Sequence, residues 1–144
     1  MTSIQLSTDK KLLQLSRIHD FLNQSYWAKD IPLNTVQRSI ENSMCFGVYK
    51  NDLQIGFARV ITDYATFAYL ADVYIIEEEQ GKGYAKQLMH FIMNHDDLQG
   101  LRRFMLATRD AHGLYEAFGF SKVAIPERIM EIIRPGIYER AKQE

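Results

Sequence analysis

The sequence predicts a mixed α+β domain in three layers, with about six to seven strands in a mostly antiparallel sheet and about four helices. Amphipathic helical spacing dominates the N-terminal third. Residues 44–76 are then rich in β-branched and aromatic side chains, with short polar breaks. Helical periodicity returns after residue 83 and leads into another strand pattern. This strand-helix-strand unit implies one parallel strand pair in the sheet.

The N-terminal third contains two predicted helices. Apolar residues at helical spacing after the cap-like "STD" predict a helix over about residues 9–24. Residues 3–6, "SIQL", are a candidate short strand that precedes it. After the break at Pro32, Asn34 is predicted to cap a second helix that carries Val36 and Ile40.

The remaining elements follow in order along the chain. Three consecutive antiparallel strands are predicted, and a helix begins at Tyr84 directly after two glycines. Asp110 is predicted to cap a later short helix. The predicted strands are residues 44–50, 53–62, 66–76, 101–108, 119–125 and 128–134, and the short helix is residues 110–118.

Composition narrows the class of protein. A chain of 144 residues with 47% hydrophobic content predicts a single domain over residues 1–144. The chain lacks an apolar run of roughly 20 residues and a signal-peptide pattern, so we expect a soluble cytoplasmic protein without a membrane partner. A net charge of -1 with scattered basic residues argues against a nucleic-acid partner.

The single cysteine, Cys45, cannot form an internal disulfide, which is consistent with a reducing compartment. We expect it to be a small buried hydrophobic residue on a strand. A nucleophilic role lacks support because no histidine lies nearby in the sequence.

Residues 77–86, "EEEQGKGYAK", form a glycine-containing connection between a strand and a helix. Such a loop suits a phosphate, because glycines allow close backbone approach and a helix N-terminus presents N–H groups. The P-loop pattern is absent, and the dinucleotide pattern fails because Lys86 stands where glycine is required. What fits is Gln-x-x-Gly-x-Ala, from Gln80 to Ala85.

A second motif lies downstream. Residues 107–120, "ATRDAHGLYEAFGF", contain a short helix with "LYE" that ends in "GF". Alone, this stretch would indicate an amphipathic helix closed by glycine. With the first motif, in this order, the chain resembles the GNAT N-acetyltransferases over nearly its whole length. Thr108 stands where many relatives carry asparagine, and Ile75-Ile76-Glu77 replaces a frequent V-x-P.

The resemblance implies acetyl-CoA as cosubstrate and no metal. It also implies a cleft where two parallel strands splay apart, with an N–H near Ile75 polarising the thioester oxygen. N–H groups of residues 81–85 would hold the two phosphates. The implied coenzyme-binding residues are Val73, Tyr74, Ile75, Gln80, Gly81, Lys82, Gly83, Tyr84, Ala85 and Thr108.

The charged residues of the first motif have two interpretations each. Acids ahead of a helix complement its dipole and can point to solvent, or one of Glu77, Glu78 and Glu79 relays a proton from the amine. Lys82 is either a solvated turn residue or a phosphate partner.

Two residues are candidates for catalysis. Tyr115 matches the family tyrosine that donates a proton to the departing sulfur, and the alternative is a packed aromatic residue. Asp72 lies within an apolar strand, where a carboxylate needs a partner or an open cleft. Alternation places it on the face of Tyr74. Some polyamine-type relatives carry an acid at this position, so the resemblance implies that Asp72 binds the acceptor amine or acts as base. The alternative is a charge at a sheet edge or a pair with Arg59.

Tyr26 and Trp27 are predicted either to wall the acceptor pocket or to pack in the core. The function that follows is acetyl transfer from acetyl-CoA directly to a primary amine of a small molecule or peptide, through a ternary complex. The alternative is a non-catalytic acyl-CoA sensor, against which the retention of Tyr115 argues. Homodimers are common in this family, so the resemblance allows a homodimer.

Overall fold

A five-stranded sheet forms the centre of the protein, for which the computed structural model describes residues 3–139. The strands lie side by side in chain order. Neighbours are antiparallel except for the last two, which are parallel. The strands are β1 (Gln5–Ser7), β2 (Met44–Lys50), β3 (Leu53–Thr62), β4 (Phe67–Ile75) and β5 (Arg103–Leu106).

Helices cover both faces of this sheet. The α-helices that lie wholly within the described residues are α1 (Leu15–Leu22), α2 (Leu33–Glu41), α3 (Tyr84–Met93) and α4 (His112–Glu116). None of the helices in residues 3–139 is long and apolar enough to cross a bilayer. The predicted three-layer α+β class with its mixed sheet is therefore confirmed, and the number of strands is lower than predicted.

Two hydrophobic clusters hold the layers together. On one face, Phe46, Val60 and Leu88 belong to a cluster that joins the sheet to α3. On the other face, Ile18 and Phe57 belong to a cluster that joins the sheet to α1 and α2. Because both faces are covered, β2 and β3 are buried along most of their length and read as nearly continuous apolar runs.

A β-bulge interrupts β4 at Asp72. Phe57 of β3 pairs with Tyr74, but Arg59 pairs with Ala71, so β4 has one more residue than β3 across this stretch. Asp72 accommodates the extra residue with a φ of 56°, in the left-handed region. The bulge re-aims the side chain of Asp72 at the place where the sheet opens.

The parallel pair separates beyond its first residues. β4 and β5 pair from Phe67 and Arg103 to Leu70 and Leu106, and no pairing continues after that point. β4 nevertheless runs on to Ile75. Residues 71–75 therefore have a free edge on the β5 side, which agrees with the predicted splayed pair.

The first predicted helix was too long. Residues 10–12 form a 3-10 turn capped by Asp9, and α1 begins only at Leu15. Between them the Gln14 N–H donates to Gln54 Oε1 at 2.8 Å, a contact that no local pattern reveals.

The caps predicted for α2 and α4 were wrong. The N-cap of α2 is Pro32, and Asn34 lies inside the helix. The N-cap of α4 is Ala111 in place of Asp110, and the Ala111 N–H donates to Thr108 Oγ1 at 3.0 Å.

The two last predicted strands were also wrong. Residues 119–125 and 128–134 form no strand, and Pro126–Arg128 is a 3-10 turn. The residues have strand-like composition, but they meet no strand partner among residues 3–139. The described sheet consequently ends at β5, whose outer edge carries no further strand.

Candidate active site

The loop before α3 has the geometry of an anion site. Gly81 and Gly83 have φ angles of 79° and 81°, which glycine adopts without strain. An added Cβ at either glycine would meet no atom within 4 Å, so the space over the loop is open. Gly83 is the N-cap of α3 and no side chain caps the helix, which leaves N–H groups of the first turn available.

Gln80 anchors this loop to the end of β4. Its Nε2 donates to the Ile75 carbonyl at 2.8 Å, on the free edge where β5 has diverged. The Ile76 N–H donates to Ile55 O at 2.8 Å, on the β3 side. Because successive N–H groups of a strand point to opposite sides, the Ile75 N–H faces the gap between β4 and β5.

The β4 residues predicted to bind the coenzyme, Val73, Tyr74 and Ile75, can contact it mainly through their backbone groups. The Tyr74 ring stacks on Phe21 with centroids 3.8 Å apart, and the Ile75 side chain is buried in the first cluster. Val73 alone of the three predicted edge residues lines the adjacent cleft. Tyr74 and Val73 point to opposite faces, as strand alternation predicted for this part of β4.

Glu79 links two lysines beside the loop. Its carboxylate accepts from Lys50 at 3.0 Å and from Lys82 at 2.9 Å. These hydrogen bonds lower the pKa of Glu79 and raise that of Lys50. Glu79 therefore does not simply point to solvent, and Lys82 has an acidic partner within the loop.

A cleft of about 710 Å³ opens between the diverging strands. It brings together residues far apart in the sequence. Among the predicted site residues, Tyr26, Trp27, Asp72, Val73, Thr108 and Tyr115 line it. The residues of the phosphate loop do not belong to this lining. The C-terminal end of β4 instead connects the cleft to the loop.

Each carboxylate oxygen of Asp72 accepts a hydrogen bond from a protein donor. Its Oδ1 accepts from Trp27 Nε1 at 2.8 Å, and its Oδ2 accepts from Arg59 Nε at 2.8 Å. Both members of the ion pair are largely buried, with side-chain exposures of 17% for Arg59 and 10% for Asp72. The ion pair with Arg59, which was the alternative interpretation of Asp72, therefore forms. Asp72 also lines the cleft.

Tyr115 is held on α4 at the cleft. It is 9% exposed and packs against Phe120 with ring centroids 6.1 Å apart. Burial raises the pKa of its phenol above the ordinary value, and Tyr26 and Asp110 add to the effect. Within residues 3–139, no hydrogen bond occupies the hydroxyl. The phenol is therefore a neutral proton donor at physiological pH.

An aromatic wall borders the cleft on the side of α1 and α2. Tyr26 and Trp27 are 53% and 42% exposed and stack edge to face at 5.1 Å, so neither is a core residue. The Arg109 guanidinium lies 3.8 Å from the centre of the Tyr26 ring. Tyr138 completes the lining.

Sequence reasoning missed Arg109 and Tyr138. Arg109 lies within the second motif, three residues before the start of the helix that carries Tyr115, so its position was a usable signal. Tyr138 approaches the cleft through the path of the C-terminal chain, which no local sequence pattern indicates. In residues 3–139, no three histidine, cysteine, aspartate or glutamate side chains gather as metal ligands would.

Comparison with known proteins identifies the family. Residues 14–120 match the model of the acetyltransferase (GNAT) family. A protein from Gibberella zeae, named as an acetyltransferase, is 35% identical over 133 residues, which cover 76% of this chain and 74% of that protein.

Solved structures agree with this match. A crystal structure from Xanthomonas campestris pv. campestris, of a protein assigned as a GNAT acetyltransferase, has 54% identity and a TM-score of 0.93, and covers 96% of this chain and 98% of that one. A Clostridium acetobutylicum structure with acetyl-CoA shares the fold at 13% identity and a TM-score of 0.62, covering 92% and 96% of the two chains. The chain belongs to the GNAT family of acetyltransferases.

Proposed function

We propose that the protein is an acetyl-CoA-dependent N-acetyltransferase that moves the acetyl group directly to a primary amine of a small molecule or peptide. One observation carries the proposal: Asp72 and Tyr115 line a single cleft at the divergence of β4 and β5. A carboxylate and a neutral phenol in one cleft suit the attacking amine and the departing thiolate, respectively.

The coenzyme would enter from the loop side. The N–H groups at the start of α3 would hold its two phosphates, and the open space over Gly81 and Gly83 supports this placement. The pantetheine arm would then run along the free edge of β4, where residues 71–75 lack a strand partner on the β5 side. Val73 and Thr108 would flank its inner end.

Acetyl transfer then needs no covalent enzyme intermediate. The neutral amine nitrogen attacks the thioester carbon, and the Ile75 N–H stabilises the oxyanion that forms on its oxygen. The C–S bond breaks as the intermediate collapses, and Tyr115 donates a proton to the departing sulfur. An acceptor that binds as an ammonium first gives one proton to water or to Asp72, and its nitrogen loses a second proton to water when the amide forms. Holding both substrates in one cleft supplies several kcal/mol of the barrier lowering, on the order estimated for well-oriented reactions.

The lining of the cleft favours a cationic acceptor beside an aromatic surface. Asp72 keeps unused lone pairs although Trp27 and Arg59 each donate to it, so an ammonium can still approach. Tyr26 and Trp27 offer ring faces to the body of the acceptor.

The test is a panel of primary amines incubated with acetyl-CoA and scored by release of coenzyme A thiol, with acetylated product identified by mass. We expect turnover with at least one cationic amine. The matched control is Tyr115→Phe, which keeps the ring and should lower turnover. Tight coenzyme binding without turnover over a broad panel would overturn the proposal and favour an acyl-CoA sensor.

A further inference from the structure

The cleft holds two ion pairs of different kinds. Its charged lining residues, within the described part of the chain, are Arg59, Asp72, Arg109 and Asp110. Arg59 and Asp72 meet at 2.8 Å and are largely buried. Arg109 and Asp110 approach only to 3.7 Å, and their side chains are 64% and 70% exposed. Because an exposed pair at such a distance contributes little, Arg109 remains available to a ligand.

The guanidinium of Arg59, by contrast, is already committed to protein groups. Its Nε donates to Asp72 Oδ2 at 2.8 Å, and its Nη1 donates to Ser43 Oγ at 3.1 Å. Ser43 is itself buried, so this arrangement is part of the protein interior. Arg59 therefore positions Asp72, and the carboxylate keeps the lone pairs that an ammonium needs.

Arg109 is held in place by the face of an aromatic ring. Its guanidinium carbon lies 3.8 Å from the centroid of the Tyr26 ring. Within residues 3–139, no hydrogen bond engages this guanidinium. Stacking uses the flat face of the group and leaves the N–H donors at its edge unpaired. Those donors form the planar fork that binds a carboxylate through two parallel hydrogen bonds.

Arg109 and Asp72 contact different rings of the aromatic wall. Arg109 lies on the Tyr26 ring, and that ring meets Trp27 edge to face at 5.1 Å. At the other end, Trp27 Nε1 donates to Asp72 Oδ1 at 2.8 Å. The two charges therefore stand at the two ends of one continuous row of contacts. A molecule that lies along the wall meets a negative charge at one end and a positive charge at the other.

This charge pattern discriminates among primary amines. A plain monoamine leaves Arg109 without a partner, and a diamine brings a second ammonium near it, which is unfavourable because like charges repel. A phosphate monoester carries about −1.5 to −2 charges at pH 7, more than one available guanidinium neutralises. A carboxylate carries a single charge and matches the guanidinium fork in shape. The wall therefore suits a molecule with one ammonium and one carboxylate.

We propose that the acceptor is a small zwitterion, whose primary amine binds at Asp72 and whose carboxylate binds at Arg109, with its body along the aromatic wall. The inference rests on the proposed acetyl transfer, because it names the class of the second substrate. Arg109 is then a specificity-determining residue. It stabilises the bound acceptor and takes no part in the proton transfers.

The experiment compares zwitterions with plain amines of equal chain length. β-Alanine, γ-aminobutyrate and ε-aminocaproate are paired with propylamine, butylamine and hexylamine, and phosphoethanolamine serves as the phosphate-bearing amine. Release of coenzyme A thiol gives kcat and KM for each compound. Fluorescence titration gives Kd without turnover, because Trp27 is the single tryptophan of the chain and lines the cleft. At least one zwitterion should exceed its matched amine by about tenfold in kcat/KM and in affinity.

Arg109→Gln removes both the charge and the fork. It should raise KM and Kd for the preferred zwitterion at least about tenfold, with smaller changes in kcat and in KM for acetyl-CoA. The fold should survive, since this side chain is 64% exposed. Arg109→Lys keeps the charge without the fork and should recover part of the loss. The matched control is Arg102→Gln, at an exposed arginine outside the cleft, which should leave these constants unchanged.

Equal kcat/KM values for zwitterions and their matched amines would overturn the inference, as would a preference that survives Arg109→Gln or a stronger preference for phosphoethanolamine. An equal rise in KM for acetyl-CoA with Arg109→Gln would also overturn it, because the arginine would then serve the coenzyme. If no acceptor turns over, acetyl transfer itself is contradicted and the titration decides. Tighter zwitterion binding that Arg109→Gln abolishes would still support the zwitterion site, and equal binding would overturn it.

Discussion

Asp72 combines a strained backbone with a carboxylate held by two hydrogen bonds. Its φ of 56° would normally favour glycine or asparagine, and the two donors Trp27 and Arg59 fix the carboxylate that this backbone presents. Such a residue is suited to holding a charge at a fixed point of the cleft. The aromatic wall and the ion pair are thereby linked through one side chain.

Asp72→Asn should raise the Michaelis constant for cationic acceptors by at least roughly tenfold and change that for acetyl-CoA little, because it removes charge and keeps shape. Steady-state kinetics with both substrates varied would measure this. The control is Trp27→Phe, which removes one hydrogen bond to Asp72 and keeps its charge, so the effect should be smaller. Normal kinetics of Asp72→Asn toward the best amine would return Asp72 to a purely structural role beside Arg59.

Tyr115→Phe should lower the turnover number by at least roughly tenfold, since general acid catalysis typically contributes 10²- to 10⁴-fold. Coenzyme affinity should change little because the ring and its contact with Phe120 remain. The raised pKa of Tyr115 also predicts that the proton donor persists to a higher pH than an ordinary phenol would. Turnover within about twofold of the parent, under conditions where chemistry limits the rate, would make Tyr115 a packing residue.

The loop and α3 act as one element. Gln80 ties the loop to β4, Glu79 ties it to Lys50 at the end of β2, and Gly83 starts the helix. The loop is therefore positioned before any ligand arrives, which lowers the entropy cost of coenzyme binding.

Gly83→Val should raise the dissociation constant for acetyl-CoA, because the new side chain occupies the approach to the N–H groups and its φ of 81° disfavours a β-branched residue. Calorimetry on the folded variant would measure the change. Gly100→Val is the matched control, since Gly100 has a φ of 74° with equally open surroundings but lies outside the site. Equal coenzyme affinities for the two variants would remove the phosphate role from the loop.

Strand β2 contains a tight contact of its own. A Cβ on Gly47 would overlap the ring of Tyr49, which lies over the glycine. Gly47→Ala should therefore destabilise the protein by roughly 1–3 kcal/mol in urea unfolding, as overpacking does. Tyr49→Leu in the same chain should restore part of that loss, whereas Gly113→Ala, with open space around it, should not destabilise. An unchanged free energy of unfolding for Gly47→Ala would show that the ring moves aside without cost.

At the scale of the whole molecule, binding of acetyl-CoA should increase the free energy of unfolding. At about one hundred times its dissociation constant, a ligand that binds only the folded state contributes about 2.7 kcal/mol. For a chain of this size that corresponds to a rise in Tm of roughly 5–10 °C with acetyl-CoA. A scan with Gly83→Val should show a smaller rise. An unchanged Tm for the parent at saturating acetyl-CoA would contradict the assignment of coenzyme binding.

How much of this molecule can be predicted from sequence follows from the range of the interactions involved. The bounds of β2 and β3 and the start of α3 were correct, because period-two and helical spacing and the preceding glycines are local signals. The start of α1 was predicted incorrectly, because it depends on the hydrogen bond between Gln14 and Gln54, forty residues away.

The site shows the same division. Motif residues such as Gly83 and Tyr115 could be named, since each motif is contiguous. The bulge at Asp72 and the approach of Tyr138 arise from register and from chain path, which spacing does not encode. Residues 128–134 show a further limit of prediction from sequence. Their composition favours a strand, but composition does not reveal whether a neighbouring strand is available for pairing.

The thiol of Cys45 should be unreactive in the folded protein. It is the single cysteine of the chain, 2% exposed on β2, and burial raises its pKa to about 11. A disulfide reagent used to count coenzyme A would find almost no reactive thiolate on the folded protein. Any slow colour that develops without substrate would instead report the opening of β2 at the centre of the sheet. One reagent would thus measure two rates: the fast release of coenzyme A by the reaction and the much slower unfolding that exposes Cys45.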